Sequence, residues 1–272
     1  MHCADIAAHS AYHSPHYYLH LQFSCGLFDN WYESEQVSAN RSNTAVLPTL
    51  IASRLHTAIV LLILFGLAAG GIMRVLRGSH DLVGPAGRLP LYAWILAIQL
   101  LLFWFVRTGM RRSGHSVAAL IDPTPNLRHW VRYLGIAVAA WILWMIFGAV
   151  LGSFLAPSRT ELTAIQEFLP HGKLEKLCWV VFSAGTNFCE EVLYRGYLLT
   201  QFRALTGSST IALLLQTVVF AMGHVTLGVP IAISVSFLAL WLGALTLWQK
   251  SLLPSILVHV SISLFGGLAF SP

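Results

Sequence analysis

Long apolar runs separated by short polar breaks fill the chain from about residue 46 onward. The first extends from Leu55 to Met73 and stops at Arg74 and Arg77. The second extends from Leu91 to Val106, closed by Arg107, Arg111 and Arg112, and the third from Tyr133 to Leu155, with Trp141 and Trp144 inside it. A fourth covers Leu177 to Leu199, a fifth Ile211 to Val225, a sixth Pro230 to Trp248 and a seventh Leu252 to Ala269. Most approach the ~20 residues that cross a hydrocarbon core, and none alternates with period two. In lipid each backbone N–H and C=O has to be paired within the protein, which a helix does unaided. The pattern therefore predicts an all-α, polytopic transmembrane bundle of about seven or eight helices. Between the third and fourth runs, Ser158-Arg159-Thr160-Glu161 has the form of a capping box. Leu162, Ile165, Phe168 and Leu169 follow at amphipathic spacing, which predicts a short interfacial helix ended by Pro170.

Three stretches follow from this patterning: a polar extension over 1–45, helices and loops over 46–169, and a C-terminal helical core over 170–272. The extension holds His2, His9, His13, His16 and His20 and has no apolar core with a small-residue cleavage site. It reads as a disordered segment rather than a signal peptide, although a His-rich tract is also a composition that binds metal.

Composition agrees with the membrane reading. Hydrophobic residues make up 56% of the chain and charged residues 10%, against roughly 25% charged in an ordinary soluble protein. The net charge of +5 comes from arginines gathered between apolar runs, with no basic stripe interleaved with aromatics, so nucleic acid is not an expected partner. The loop with Arg107, Arg111, Arg112, Arg128 and Arg132 is the most basic and is expected on the cytoplasmic side; Arg74, Arg77 and Arg88 then fall opposite. Cys3, Cys25, Cys178 and Cys189 show no paired spacing, so they read as packing residues rather than a disulfide framework or a zinc ribbon.

Against this apolar background three polar islands stand out. Cys189-Glu190-Glu191-Val192-Leu193-Tyr194-Arg195 places two carboxylates and a cation inside the fourth run, where one ionisable group costs at least ~2.5–3.5 kcal/mol. Glu191 and Arg195 are four apart on one helix face and are expected to neutralise each other. Glu190 lies about 100° further round, with Tyr194 on its own face, and is left to meet something else. A desolvated carboxylate without a partner on its own helix is a candidate general base; the plainer alternative is a structural ion pair beside a protonated Glu. His224 ends the fifth run, with Phe220 four residues before it, and a His there is often merely a satisfied polar residue. His259 lies inside the seventh run with Ser263 one turn later. No HExxH and no GxSxG occurs, which removes the helical zincin and the nucleophile-elbow hydrolase. Water activation by a carboxylate and an imidazole suits these groups, and Glu190, His224 and His259 would equally suit a catalytic zinc with one open position.

Glu190-Glu191-x-x-x-Arg195, Phe220-x-x-x-His224 and His259, in that order and within apolar helices, resemble the three-motif signature of the CPBP intramembrane proteases. That family includes the type II CAAX prenyl endopeptidases and the bacteriocin-processing Abi proteins. The flanks agree, in Glu-Glu-Val-Leu-Tyr-Arg-Gly-Tyr-Leu ending at Leu198 and in Ser251-Leu252-Leu253-Pro254-Ser255-Ile256-Leu257-Val258 leading into His259. The resemblance covers about residues 170 to 270. It implies an eight-helix-like bundle in which Glu190 activates water with help from His224. It further implies that Glu191 and Arg195 hold the motif helix and that His259 serves the oxyanion side. Zinc and metal-free water activation are equally compatible with it. The implied partners are a peptide or lipidated protein substrate and the lipid bilayer, and the expected location is the cell membrane of a bacterium. One position departs from the pattern: Ser263 stands where the family usually has Asn, sometimes Asp. Two other classes stay open: a non-catalytic scaffold or immunity-type protein of the same fold, and a transporter or proton relay. The chain lacks the internal repeats and paired broken helices of many transporters.

Overall fold

The computed structural model describes residues 49–78, 83–122, 126–155 and 157–271. The His-rich tract, Cys3 and Cys25 lie outside the described residues. Helices α1 (Arg54–Leu76), α2 (Arg88–Arg112), the short α3 (Val117–Ile121), α4 (Leu127–Phe154) and α5 (Arg159–Phe168) come first. Then α6 (Lys173–Glu190) passes without a break into a π-helical segment, Glu191–Leu198, and on into α7 (Leu199–Thr206). After these come α8 (Ser209–Met222), a 3-10 turn at Val225–Leu227, α9 (Val229–Gln249) and α10 (Leu253–Ala269). No strand occurs among the described residues, and the all-α expectation is met.

Helices α1, α2, α4 and α9 are long and apolar enough to cross a membrane. Side chains such as Leu62, Leu101 and Phe154 lie at least 70% exposed, the condition of a helix whose neighbour is lipid. The seven predicted runs need correction at three places. The fourth is not a simple span: it is the middle of the continuous helical run 173–206, and every residue of its π segment is buried by other helices. The fifth and seventh become α8, of 14 residues, and α10, of 17, both short of the ~20 residues of a typical crossing. Helix α3 escaped the sequence reading because five residues carry too little periodicity to register.

Local chemistry sets the helix ends. Ser53, Ser116, Asn126 and Ser208 each accept a backbone N–H from the first turn of the helix they precede. The capping box at Ser158 and Glu161 forms as predicted, with both reciprocal hydrogen bonds present. Gly207 ends α7 at a φ of 68°, the left-handed position that favours glycine.

Helix α2 packs on α6, α10 packs on both α6 and α4, and α8 lies between α7 and α9. Small residues permit the closest approaches: a Cβ on Gly267 of α10 would collide with the Trp179 indole of α6, and one on Gly243 of α9 with Leu213 and Gln216 of α8. Cys178 and Cys189 are free thiols, half-buried and buried respectively, in this helical run.

A buried amide ties α1 to the motif helix. Gln201 of α7 accepts the Ile51 N–H at 2.9 Å and donates to the Ala52 carbonyl at 3.0 Å and to Thr57 Oγ1 at 2.6 Å. Thr57 Oγ1 in turn lies 3.0 Å from the Tyr197 hydroxyl. Gln201 has no exposed surface, so its loss leaves Ile51 and Ala52 with unmet backbone groups in a dry setting, at a cost of about 1–3 kcal/mol. Gln201→Leu is therefore expected to lower the thermal unfolding midpoint in detergent by several degrees; an unchanged midpoint would show that the tether contributes nothing.

Candidate active site

The π-helical segment begins at Glu191, and Leu199 closes it by donating its N–H to the Tyr194 carbonyl five residues back. Widening a helix in this way shifts the side chains relative to a regular α-helix, and such segments are frequent at functional sites. The expected pair survives the change: Arg195 Nη1 lies 3.1 Å from Glu191 Oε1, with both side chains fully buried. The guanidinium also lies over the ring of Phe220, 4.2 Å from its centroid.

His259 of α10 completes this cluster. Its Nδ1 lies 2.8 Å from Glu191 Oε1, the same oxygen that faces Arg195. An ionised carboxylate only accepts, so Nδ1 carries the proton and donates it. The Nε2 lone pair is thereby turned toward Glu190, whose Oε2 is 3.9 Å away. That separation is too long for a direct hydrogen bond and suits a bridging water. Glu190 is 14% exposed at the side chain, unlike the sealed Glu191, and its other oxygen accepts from Gln99 Nε2 of α2 at 3.0 Å.

Phe220 of α8 joins the motifs. Its buried ring meets Tyr194 at a centroid distance of 4.8 Å, His224 at 4.6 Å and His259 at 6.1 Å. His224 is half-buried, with Nδ1 2.9 Å from the Phe220 carbonyl; a carbonyl only accepts, so here too Nδ1 donates. The structure thus gathers Glu191, Arg195 and His259 by direct polar contact, sets Glu190 3.9 Å from the His259 imidazole, and brings His224 to the same aromatic ring. Ser263 is half-buried one turn after His259, and its backbone carbonyl accepts from the Trp179 indole at 3.1 Å.

Two residues absent from the sequence reading belong to this cluster. Gln99 is a polar side chain within the second apolar run, a signal that was available. Asn187 donates from Nδ2 to the His259 carbonyl at 3.3 Å, and it lies one turn before the Glu pair, another readable spacing.

Glu190, His224 and His259 are the residues that would hold a zinc. Among the described residues no three His, Cys, Asp or Glu side chains are gathered to hold a metal ion. His224 and His259 each use Nδ1 on a protein acceptor, the Phe220 carbonyl and Glu191 Oε1, which leaves both Nε2 atoms free.

Residues 173–265 match the model of the family described as type II CAAX prenyl endopeptidase Rce1-like. No curated protein and no solved structure matches the chain. The matched segment begins at the first residue of α6 and contains all three polar islands, which agrees with the resemblance read from Glu190-Glu191-x-x-x-Arg195, Phe220-x-x-x-His224 and His259: over residues 173–265 the chain is similar to the type II CAAX prenyl endopeptidase Rce1-like family.

Proposed function

We propose that this protein is an intramembrane endopeptidase that hydrolyses a peptide bond of a membrane-associated, CAAX-type lipidated protein. The observation that carries the reading is the 3.9 Å gap between Glu190 Oε2 and His259 Nε2, with the imidazole tautomer fixed from behind by Glu191. A water held in that gap meets a carboxylate on one side and a lone pair on the other. Glu190 takes one of its protons as the oxygen attacks the substrate carbonyl carbon. The carbonyl π electrons move onto the oxygen, forming a tetrahedral oxyanion. When it collapses, the C–N bond breaks and the proton held by Glu190 goes to the leaving amine. His224, held at Phe220 through Nδ1, meets the substrate from its Nε2 side. Glu191 and Arg195 keep their charges matched so that the helix carrying Glu190 stays in place.

The two glutamates then have separable roles. Glu190→Gln keeps the size of the side chain at a partly open position. It is expected to lower cleavage of a prenylated CAAX peptide by roughly 10²–10⁴-fold with the unfolding midpoint unchanged. Glu191→Gln leaves Arg195 buried without its counter-charge and is expected to cost about 3–5 kcal/mol of stability. Measuring activity and thermal unfolding for both variants in one detergent checks this. Equal loss of stability in the two would remove Glu190 from the chemistry and favour the non-catalytic scaffold.

Chelation separates the metal-free reaction from a zinc-dependent one. Cleavage is expected to persist after dialysis against a strong zinc chelator. Loss of activity that returns on adding zinc would instead restore the metal to the mechanism.

A further inference from the structure

At the end of the bundle where α7 and α9 finish and α10 begins, a cleft of about 170 Å³, half open to solvent, enters the protein. Its walls are Leu120, Leu199, Leu247 and Leu252, and Arg195 and Gly196 of the motif helix also line it. At its exposed margin stand Arg203 and Lys250, with the half-buried Thr200 between apolar wall and basic rim. Neither Arg203 nor Lys250 has an acidic partner among the described residues.

The backbone at Lys250 adds an independent observation. Lys250 has a φ of 53°, and it alone among the described non-glycine residues has a positive φ. It ends α9 in the left-handed conformation for which α7 uses Gly207. A cation near a helix C-terminus does answer the macrodipole, but that exposed interaction is weaker than the cost of holding a side-chain-bearing residue left-handed. A charged residue kept where glycine is cheaper points to a use for the charge.

The surroundings indicate the chemistry of what is held. Arg111, Arg112, Arg128 and Arg132 belong to the segments that meet this end through α3 and the start of α4; Ser251 Oγ donates to the Ile121 carbonyl and Arg132 reaches Gln249. Trp248, 68% exposed two residues before Lys250, is an amphipathic ring of the kind found at the level of lipid headgroups. Basic margin, hydroxyl and aliphatic wall match a phosphodiester carrying hydrocarbon. We propose that this cleft binds the headgroup of an anionic phospholipid, with Arg203 and Lys250 on the phosphate and the start of the hydrocarbon chains against Leu120 and Leu252. The occupant rests against Gly196 of the motif helix, yet its binding does not depend on proteolysis.

The test uses the full chain in detergent, with phosphatidylglycerol or phosphatidylcholine added and retained lipid counted by native mass spectrometry. Wild type is expected to retain phosphatidylglycerol preferentially. Arg203→Gln and Lys250→Gly are each expected to reduce that preference roughly fivefold. Lys250→Gly relieves the left-handed backbone, so its unfolding midpoint without anionic lipid should hold or rise, which separates lost binding from lost folding. Equal retention of the two lipids, or an undiminished preference in the double variant, would overturn the proposal. Displacement of the lipid by millimolar inorganic phosphate would also overturn it, by assigning the cleft to free phosphate.

Discussion

The buried charge on Glu191 is the constraint around which the C-terminal half is arranged. Inside a bundle of apolar helices a lone carboxylate would protonate or force the helix out, so its Oε1 faces Arg195 at 3.1 Å and His259 at 2.8 Å. Those partners come from different places. Arg195 comes from the next turn of the same helical run, whereas His259 comes from α10 and requires that helix to dock. Docking in turn needs Gly267 against Trp179 and the Asn187 bond to the His259 carbonyl. A single anion thus couples the local choice of a π-helical turn to the packing of α6 on α10. A buried ion pair is weak evidence for net stability, but removing either member is costly, and that asymmetry is what makes it specify one arrangement.

The parts of the molecule readable in the chain are those governed by local spacing. Glu191 and Arg195 are four residues apart, and their pairing follows from helix geometry; the capping box at Ser158 and Glu161 is likewise a three-residue relation. The apolar runs announced the helices, since length and period are local quantities as well. What escaped depended on neighbours distant in sequence. Gln99 sits ninety-one residues from Glu190, and only the packing of α2 on α6 brings them to 3.0 Å. The contact between His259 and Glu191 spans sixty-eight residues. The π-helical segment also left no sequence mark, because no residue in Glu-Val-Leu-Tyr-Arg-Gly-Tyr-Leu demands an extra residue per turn. Hydropathy misjudged the fourth run for a physical reason: an apolar helix that faces protein and one that faces lipid look alike until neighbours are placed. Its full burial at 191–198 shows that it faces protein.

The aromatic ring of Phe220 explains how a site can be polar without being loose. It offers one face to the Arg195 cation and meets the rings of Tyr194, His224 and His259. None of these contacts is a hydrogen bond, so the ring fixes positions without using the donors and acceptors that a reaction would need. His224 illustrates the economy: Nδ1 is used on the Phe220 carbonyl, and Nε2 is left for a ligand. A polar side chain at position 220 would compete for the same imidazole nitrogens.

The difference between the two glutamates also bears on why they are adjacent. In the proposed reaction one carboxylate has to exchange protons and the other has to stay ionised, and identical side chains can divide those tasks only through their surroundings. Glu191 has a cation and an imidazole N–H on one oxygen and no exposed surface. Glu190 has a neutral amide from Gln99 and access to the gap at His259 Nε2, with no cation in contact. The π-helical turn begins between them. A regular helix already places Arg195 one turn beyond Glu191 with Glu190 about 100° away, and the pair keeps that relation, at 3.1 Å, where the helix widens. Adjacent positions on one helix thus keep one carboxylate neutralised and its neighbour free, within a distance short enough for one imidazole to touch the first and face the second.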